Sequence, residues 1–210
     1  MIPRFPVYLF DVDGTLLDSA ADICAAVREA LKDTPAINKE DAYFRRFIGR
    51  HLFEMFAELF PDSSLEQREK WLADYRTIYA ARGHRQTRPY PGVVEALSRL
   101  PGRKSTATTK GTPTTRSVLE KFGLLPYFDH VQGTDGFPAK PEPDVIHKSL
   151  EVFGVSPDQC LMVGDAPSDM AAGRAAGVKI CAVRYGYGDH SEMAAFEPDY
   201  WIDDLNELVG

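Results

Sequence analysis

Two carboxylates separated by one residue follow directly after a short apolar run near the start of the chain. The run Val7–Phe10 is bounded by Asp11, and Asp13 and Gly14 come next. Such a run predicts a buried strand, and ligands of open parallel sheets bind just beyond the carboxyl ends of strands. Gly14 can take backbone angles that other residues avoid, so both carboxylates can face one pocket. Two close acids repel each other and need a cation, a shared proton or a division of labour between acid and base. Taken alone, the segment also fits an Asp-rich turn.

Two later segments place hydroxyls and an ammonium where they could meet a phosphate. Residues 104–110 predict a strand that ends in the hydroxyls of Thr108 and Thr109, just before a helical pattern. Hydroxyls and backbone amides at that point suit a phosphate. Lys140 stands on a proline-stiffened loop immediately ahead of another predicted helix, so its charge can be held at a fixed place.

A fourth segment repeats the opening theme. Asp165 directly follows the apolar run 161–164, and Asp169 lies four residues later. Each of these acids alone also fits a helix cap. Two acidic strand ends together indicate a hard cation bound by oxygen ligands.

The elements that must position these residues alternate in the second half of the chain. Beyond Tyr90-Pro91-Gly92 the pattern switches between strands and helices, which predicts an α/β fold with a doubly wound parallel sheet and right-handed crossovers. Between residues 20 and 82 only helical patterns occur, so we expect a helical insertion there. The predicted core covers residues 1–16 and 88–210, and the predicted cap covers residues 17–87. Aromatic residues at helical spacing are predicted to form the core of the cap: Phe44, Phe47, Phe53, Phe56, Phe60, Trp71 and Tyr75.

Composition agrees with a compact enzyme. The chain has 210 residues, of which 44% are apolar, so it can bury a full core. Its net charge of −7 offers no basic field for nucleic acid. Pro3, Arg4 and Pro6 interrupt the amino terminus, so we expect neither a signal peptide nor a membrane span. Three cysteines without metal-ligand spacing are predicted to be buried, reduced thiols, which favours a cytoplasmic protein: Cys24, Cys160 and Cys181.

Other polar residues are expected to play structural or surface roles. The five histidines show no zinc-site spacing and are assigned to surface or capping positions. Six cations are expected to be solvated and not to bind a ligand, although Lys110 stays open because it adjoins Thr108 and Thr109. These cations are Lys70, Lys110, Lys121, Arg82, Arg85 and Arg88.

In this order, the four segments resemble the motifs of the haloacid dehalogenase superfamily of phosphatases. Those motifs are Asp-x-Asp-x-Thr, a Ser or Thr after the second core strand, a Lys, and Gly-Asp-x-x-x-Asp, and the resemblance spans essentially the whole chain. The resemblance implies a Rossmann-like core with an inserted all-helical cap. Further segments are similar to motifs of the phosphoglycolate phosphatase group, and related sugar-phosphate enzymes share much of the same motifs. These segments are residues 13–19, 90–92, 140–143 and 186–188.

The resemblance implies a magnesium-dependent phosphatase that works through an aspartyl phosphate, with 2-phosphoglycolate as the favoured substrate. Asp11 would be the nucleophile. Asp13 would protonate the departing alkoxide and then deprotonate the water that hydrolyses the intermediate. Mg²⁺ would be held by Asp11, the backbone carbonyl of Asp13 and Asp165, with Asp169 either in that shell or behind it.

The phosphoryl oxygens would be bound by the second and third motifs. The resemblance assigns this role to Thr108 and Lys140, with Gly14 and Thr109 as further substrate-binding residues. Many relatives have Asn where this chain has Thr109. This departure leaves open which neighbouring group completes the phosphate cradle.

Substrate specificity is expected to lie in the helical insertion, because the four motifs account only for phosphate and metal. Residues 48–51 lie where one helical pattern breaks and another begins, so this loop could reach the core. Arg50 could then pair with the carboxylate of phosphoglycolate through its planar donors. The alternative is a solvated arginine at a helix terminus.

Other functions remain compatible with the four segments. They are another small phosphomonoesterase, a sugar-phosphate mutase, and, in a different class, a non-catalytic regulatory protein that binds a phosphorylated metabolite. Dehalogenation is disfavoured because it has no need of the proton transfer that Asp13 supplies. We expect the partner to be a small phosphorylated metabolite, with neither nucleic acid nor membrane involved, and the protein to be a monomer or homodimer.

Overall fold

A five-stranded parallel sheet forms the centre of the computed structural model, which describes residues 2–210. Its strands are β1 (Val7–Phe10), β4 (Arg103–Thr106), β5 (Cys160–Gly164), β6 (Lys179–Val183) and β7 (Tyr200–Ile202). They lie in the order β4-β1-β5-β6-β7, with every neighbouring pair parallel. The first strand is therefore flanked on both sides, and the carboxyl ends of β1, β4 and β5 meet at one edge of the sheet.

Helices cover both faces of this sheet. They are α5 (Val93–Arg99), α6 (Thr112–Lys121), α7 (Asp144–Phe153), α8 (Pro167–Ala176) and α9 (His190–Ala194). Successive side chains of β1 point to opposite faces of the sheet and pack against the helices on each face. Tyr8 and Phe10 pack in the apolar cluster of α5 and α6. Val7 and Leu9 pack in the cluster of α7 and α8. The predicted doubly wound α/β fold is confirmed.

The polar groups of strand β4 form hydrogen bonds with residues 129–132, which lie along this edge of the sheet. Asp129 Oδ2 accepts a hydrogen bond of 2.8 Å from the Lys104 backbone N–H. The Thr106 hydroxyl donates to the Gln132 carbonyl and accepts from the Gln132 N–H, both at 2.9 Å. Buried hydroxyls here therefore have partners, which explains how a polar sequence forms a core strand.

The residues between the first strand and the rest of the core form a separate group of helices. These are α1 (Ala20–Ala30), α2 (Asp41–Arg45), α3 (Leu52–Leu59) and α4 (Leu65–Arg82), with a 3₁₀ turn at Pro35–Asn38. The described residues 20–82 contain no strand. Most of the predicted aromatic residues lie in or against one apolar cluster, but Phe53 is half-buried and outside it, so that prediction was wrong for Phe53.

Two short strands connect this helical group to the core. β2 (Leu17–Asp18) and β3 (Arg88–Pro89) form an antiparallel pair, so the outgoing and returning chains run side by side. The boundaries that we propose for the cap, residues 17 and 87, lie in or beside this pair.

The remaining regular structure consists of short 3₁₀ turns at Leu125–Tyr127, Pro157–Gln159 and Leu205–Leu208. Within residues 2–210, the helices are too short or too polar to span a bilayer.

Candidate active site

Three carboxylates from two neighbouring strands converge at the carboxyl edge of the sheet. Asp11 follows β1, Asp165 follows β5, and Asp169 lies in the first turn of α8. One carboxylate oxygen from each lies within 4.8 Å of those of the other two, and all three residues are buried. The parallel pairing of β1 with β5 causes this convergence, because it brings the ends of both strands to the same place.

The Lys140 ammonium lies among these acids. Its Nζ is 2.7 Å from Asp11 Oδ1 and 2.5 Å from Asp169 Oδ1, and it donates to the Ala107 carbonyl at 2.7 Å. Burial disfavours the charge, but Asp11 and Asp169 outweigh it and raise the pKa of Lys140. The lysine therefore stays charged and holds Asp11 in a fixed orientation.

The acids outnumber the cation at this site. Burial raises the pKa of Asp11 to about 7 despite Lys140, and Asp169 adds to the rise. Burial, together with Asp11 and Asp169, raises the pKa of Asp165 well above its usual range. Three buried carboxylates beside one ammonium leave unbalanced negative charge, so oxygen ligands of this number and kind fit a divalent cation such as Mg²⁺.

Backbone approach to Asp165 is close enough to require glycine. Gly14 has φ +99°, and a Cβ there would overlap Asp165 Oδ2. Asp165 Oδ1 accepts a hydrogen bond of 3.0 Å from the Thr15 hydroxyl, and Oδ2 accepts one of 2.8 Å from the Tyr187 N–H. These contacts hold the carboxylate beside the turn that carries Asp13.

Asp169 is engaged more completely by the protein than the other two acids. Its Oδ1 pairs with Lys140, while Oδ2 accepts from the backbone N–H groups of Asp165 and Ala166 at 3.1 and 2.9 Å. In contrast, Asp11 Oδ2 has no hydrogen-bond partner among residues 2–210. The open oxygen of Asp11 is thus the one available to a reacting group.

Asp13 lies to the side of this cluster and faces the helical group. Its Oδ1 accepts a hydrogen bond of 2.7 Å from the Ser19 hydroxyl, and Oδ2 is 3.0 Å from Lys110 Nζ. Lys110 is largely buried and lies over the Tyr79 ring, 4.4 Å from its centroid. Of the two roles left open for Lys110, the solvated one is excluded, because the tertiary fold brings Tyr79 of α4 and Asp13 of the core around it.

The two predicted phosphate-binding threonines take different positions. Thr108 is buried two residues beyond the end of β4, and its carbonyl accepts a 2.9 Å hydrogen bond from the Thr134 hydroxyl. Thr109 is half-buried and lines a cavity next to Lys110. Thr109 therefore faces this cavity, whereas Thr108 is not among its described lining residues.

That cavity lies between the helical group and the core and has a volume of about 560 Å³. Asp13 is the one carboxylate among its described lining residues, whereas the cations are Arg50, Arg76, Lys110 and Lys121. The excess of cations favours an anionic ligand although the whole chain is acidic.

The loop at residues 48–51 reaches the core. The Gly49 carbonyl accepts a hydrogen bond of 3.0 Å from the Ser168 hydroxyl at the start of α8. Arg50 lines the cavity, but its guanidinium lies 3.5 Å from Glu54 and 3.3 Å from Glu58, and the side chain is 42% exposed. The structure thus gives Arg50 two acidic partners of its own on α3.

His84 is a cavity residue that the sequence did not reveal. It is buried, has φ +52°, and packs edge-on against Tyr79 with 4.8 Å between ring centroids. Its Nδ1 has no hydrogen-bond partner among the described residues. Burial and the nearby Lys110 charge lower its pKa. Its expected surface or capping role was wrong, whereas His51 does cap α3 by accepting from the Phe53 N–H.

A loop after β6 connects the acid site to the linkers. The Tyr187 hydroxyl accepts from the Ser19 and Ala20 N–H groups at 2.7 and 3.0 Å and donates to Asp18 at 2.7 Å. The Tyr187 N–H donates to Asp165, so Tyr187 contacts both the Asp165 carboxylate and the start of α1. The Gly186–Gly188 motif was the only sequence signal for this contact.

Comparison with known proteins agrees with this geometry. The sequence model of the haloacid dehalogenase-like hydrolases matches residues 8–183, which contain Asp11, Asp13, Lys140, Asp165 and Asp169. The chain belongs to this family. Its predicted membership is confirmed.

Individual relatives of this haloacid dehalogenase-like hydrolase match over nearly the full length. A phosphoglycolate phosphatase of Vibrio parahaemolyticus is 34% identical, over 95% of this chain and 92% of the relative. One of Mesorhizobium japonicum is 31% identical, over 97% and 93%. A solved hydrolase of the haloacid dehalogenase-like family from Streptococcus pneumoniae is 27% identical and superposes with a TM-score of 0.88, over 98% of this chain and 97% of that one. Family, relatives and site together identify the chain as a phosphatase.

Proposed function

We propose that this phosphatase hydrolyses 2-phosphoglycolate to glycolate and phosphate through an aspartyl phosphate on Asp11, with Mg²⁺ bound at the acid cluster. The main observation that supports this proposal is the buried Asp11 carboxylate. Lys140 binds its Oδ1, and its Oδ2 has no hydrogen-bond partner among the described residues. The relatives named phosphoglycolate phosphatase support the choice of substrate.

In the first half-reaction, Asp11 Oδ2 attacks phosphorus and the bond between phosphorus and the ester oxygen breaks. Asp13 gives its proton to the departing alkoxide, which its position on the cavity side permits. In the second half-reaction, Asp13 takes a proton from water as the water oxygen attacks phosphorus. The acyl phosphate bond breaks, Asp11 is regenerated and phosphate leaves.

The cation would be held by the carboxylates of Asp11 and Asp165 and by the backbone carbonyl of Asp13. When bound, Mg²⁺ neutralises charge on the transferring oxygens and offsets the repulsion between the acids. Asp169 fits the position behind these ligands, because both its oxygens already bind Lys140 and the backbone.

The transferring oxygens would be bound by Lys140 and the Thr108 hydroxyl, with backbone contacts from the turn at Gly14 and the polar side chain of Thr109. Lys140 also shields Asp11 from the negative charge of its surroundings, so a negatively charged substrate can approach. A carboxylate nucleophile without such a cation would repel a phosphate dianion.

The glycolate carboxylate would find its partner among the cavity cations. Arg50 is the residue that the sequence favours for this role, but Glu54 and Glu58 compete for its guanidinium. Lys110 offers a buried ammonium beside Asp13, next to the position of the leaving group. The structure thus adds Lys110 to Arg50 as a candidate for carboxylate recognition.

Three cysteines support the proposal that the enzyme works in a reducing compartment such as the cytoplasm. Cys24, Cys160 and Cys181 are free and buried. Thiols of this kind persist where disulfides do not form.

The experiment is a phosphate-release assay on a panel of phosphate esters with the full chain, in Mg²⁺ and in EDTA. We expect phosphoglycolate to give the highest kcat/KM, and both EDTA and Asp11→Asn to reduce turnover by orders of magnitude. Asp62→Asn, an exposed acid of the helical group, is the matched control. Near-normal turnover in EDTA or in Asp11→Asn would contradict the mechanism, while a better ester on the panel would replace only the substrate.

A further inference from the structure

The cavity beside Asp13 is larger than phosphoglycolate requires. Its volume of about 560 Å³ lies within the range of about 300–1,000 Å³ in which pockets enclose drug-sized ligands. Asp11, Thr108 and Lys140, which would hold the phosphoryl group, are not among its described lining residues. The cavity is therefore left to the leaving group, and glycolate supplies only a carboxylate and a single methylene carbon.

Most of the lining that the helical group gives to the cavity is apolar and rich in aromatic rings, with Arg50 and Arg76 as its charged residues. Its apolar lining residues include Ile23, Val27, Phe44, Phe47, Leu72 and Tyr75. A small anion makes no use of this surface. An aromatic ring bound there would remove apolar surface area from contact with water. It would also make edge-to-face or offset-stacked contacts with the aromatic rings of the cavity wall.

We propose that the enzyme also hydrolyses phosphate esters of primary alcohols that carry an aromatic ring, with the ring against this apolar wall and the ester oxygen at Asp13. The chemical steps are those of Asp11 and Asp13 described above, with the aromatic alcohol as leaving group. The proposal rests on that phosphatase chemistry, but it does not require phosphoglycolate to be the best substrate.

The test compares 2-phenylethyl phosphate with ethyl phosphate, with phosphoglycolate as a reference, on the full chain in Mg²⁺. The two alkoxides are similar leaving groups, so a difference in kcat/KM reports contacts made by the ring. We expect 2-phenylethyl phosphate to exceed ethyl phosphate by about 10-fold or more. An equal or lower kcat/KM for 2-phenylethyl phosphate overturns the inference alone. Absence of turnover on all three esters overturns the proposed function and the inference together.

A matched pair of variants locates the ring. Ala80 is an exposed residue of α4 that lines the cavity, whereas Ala81 is exposed on the same helix and lies outside the lining. Ala80→Trp should fill space and reduce the preference for 2-phenylethyl phosphate toward unity, while Ala81→Trp should keep the wild-type preference. A preference that survives Ala80→Trp, or that both variants lose equally, would show that the ring does not bind in this cavity.

Discussion

Individual side chains in this site take their roles from the charges around them. Asp11 and Asp13 are two residues apart, yet Lys140 and the other acids surround the first while Ser19 and Lys110 bind the second. Different surroundings would allow the two carboxylates of one turn to take the proposed roles of nucleophile and of acid and base.

The role of Asp13 predicts a dependence on the leaving group. Asp13→Asn cannot donate or accept the proton, so we expect kcat to fall by about 10²–10⁴-fold on alkyl phosphates. The loss should be much smaller for 4-nitrophenyl phosphate, whose leaving group needs little protonation. Steady-state kinetics on both esters measure the difference, and equal losses would remove Asp13 from the acid role.

The two candidate partners of the substrate carboxylate can be separated by mutation. Lys110→Met should reduce kcat/KM on phosphoglycolate about 10-fold more than on ethyl phosphate, since a charge-assisted hydrogen bond is lost only with the former. Arg50→Ala tests the other candidate by the same ratio. Lys121→Met, an exposed cation at the cavity rim, is the control. If neither Lys110→Met nor Arg50→Ala changes the ratio, carboxylate recognition lies elsewhere.

The linkers between the helical group and the core depend on a buried acid of α1. Asp22 Oδ2 accepts hydrogen bonds from the backbone N–H groups of Gln86 and Thr87 and from the Thr87 hydroxyl, at 2.8–2.9 Å. Burial opposes ionisation, but these hydrogen bonds and Arg82 lower the pKa of Asp22 below its ordinary value of 3.8. The start of α1 is thereby tied to the segment that leads into β3.

This contact predicts an acid-sensitive contribution to stability. Asp22→Ala should lower the free energy of unfolding by about 3 kcal/mol at neutral pH, because buried donors lose their acceptor. Since the folded-state pKa is lowered, the contribution is present above pH 3.8 and is lost as the pH falls through the folded-state pKa.

Urea unfolding of wild type and variant as a function of pH measures this effect. The difference between them should shrink in acid. Asp41→Ala, which removes an exposed carboxylate that pairs with Arg28, is the control and should have little effect. A difference for Asp22→Ala that does not change with pH would contradict the ionised hydrogen-bonded state.

In the whole molecule, the acid cluster lies where the core strands end and the helical group covers them. The buried acids repel one another, so a bound cation should stabilise the folded chain. Stabilisation by a ligand follows its concentration relative to Kd and reaches about 2.7 kcal/mol at about 100 times Kd.

Thermal unfolding with and without Mg²⁺ therefore tests the metal site without an activity assay. We expect Mg²⁺ to raise the Tm of the wild type and to have a much smaller effect on Asp165→Asn at the same concentration. Asp158→Asn changes an exposed acid of the core and should keep the wild-type response. An equal rise in Tm for Asp165→Asn would exclude Asp165 from the metal ligands.

Much of the core and its motifs could be predicted from local sequence. Apolar runs such as 161–164 form strands wherever they are buried on both faces, and polar residues that end them must lie at one edge of a parallel sheet. The β4 strand was harder to delimit, because its hydroxyls are satisfied by residues 129–132, which no local pattern connects to it.

The sequence by itself determined the fold class, the family and the order in which Asp11, Thr108, Lys140 and Asp165 arrive at the sheet edge, because strand periodicity and motif spacing are local properties of the chain. Only the tertiary structure decided what surrounds Asp13. The contacts of Lys110, Tyr79 and His84, and the cavity that they line, join residues from the core, α4 and the second linker. Burial and charge pairing between such segments depend on how the helical group packs over the core, and that packing has no signature in the spacing of residues along one segment.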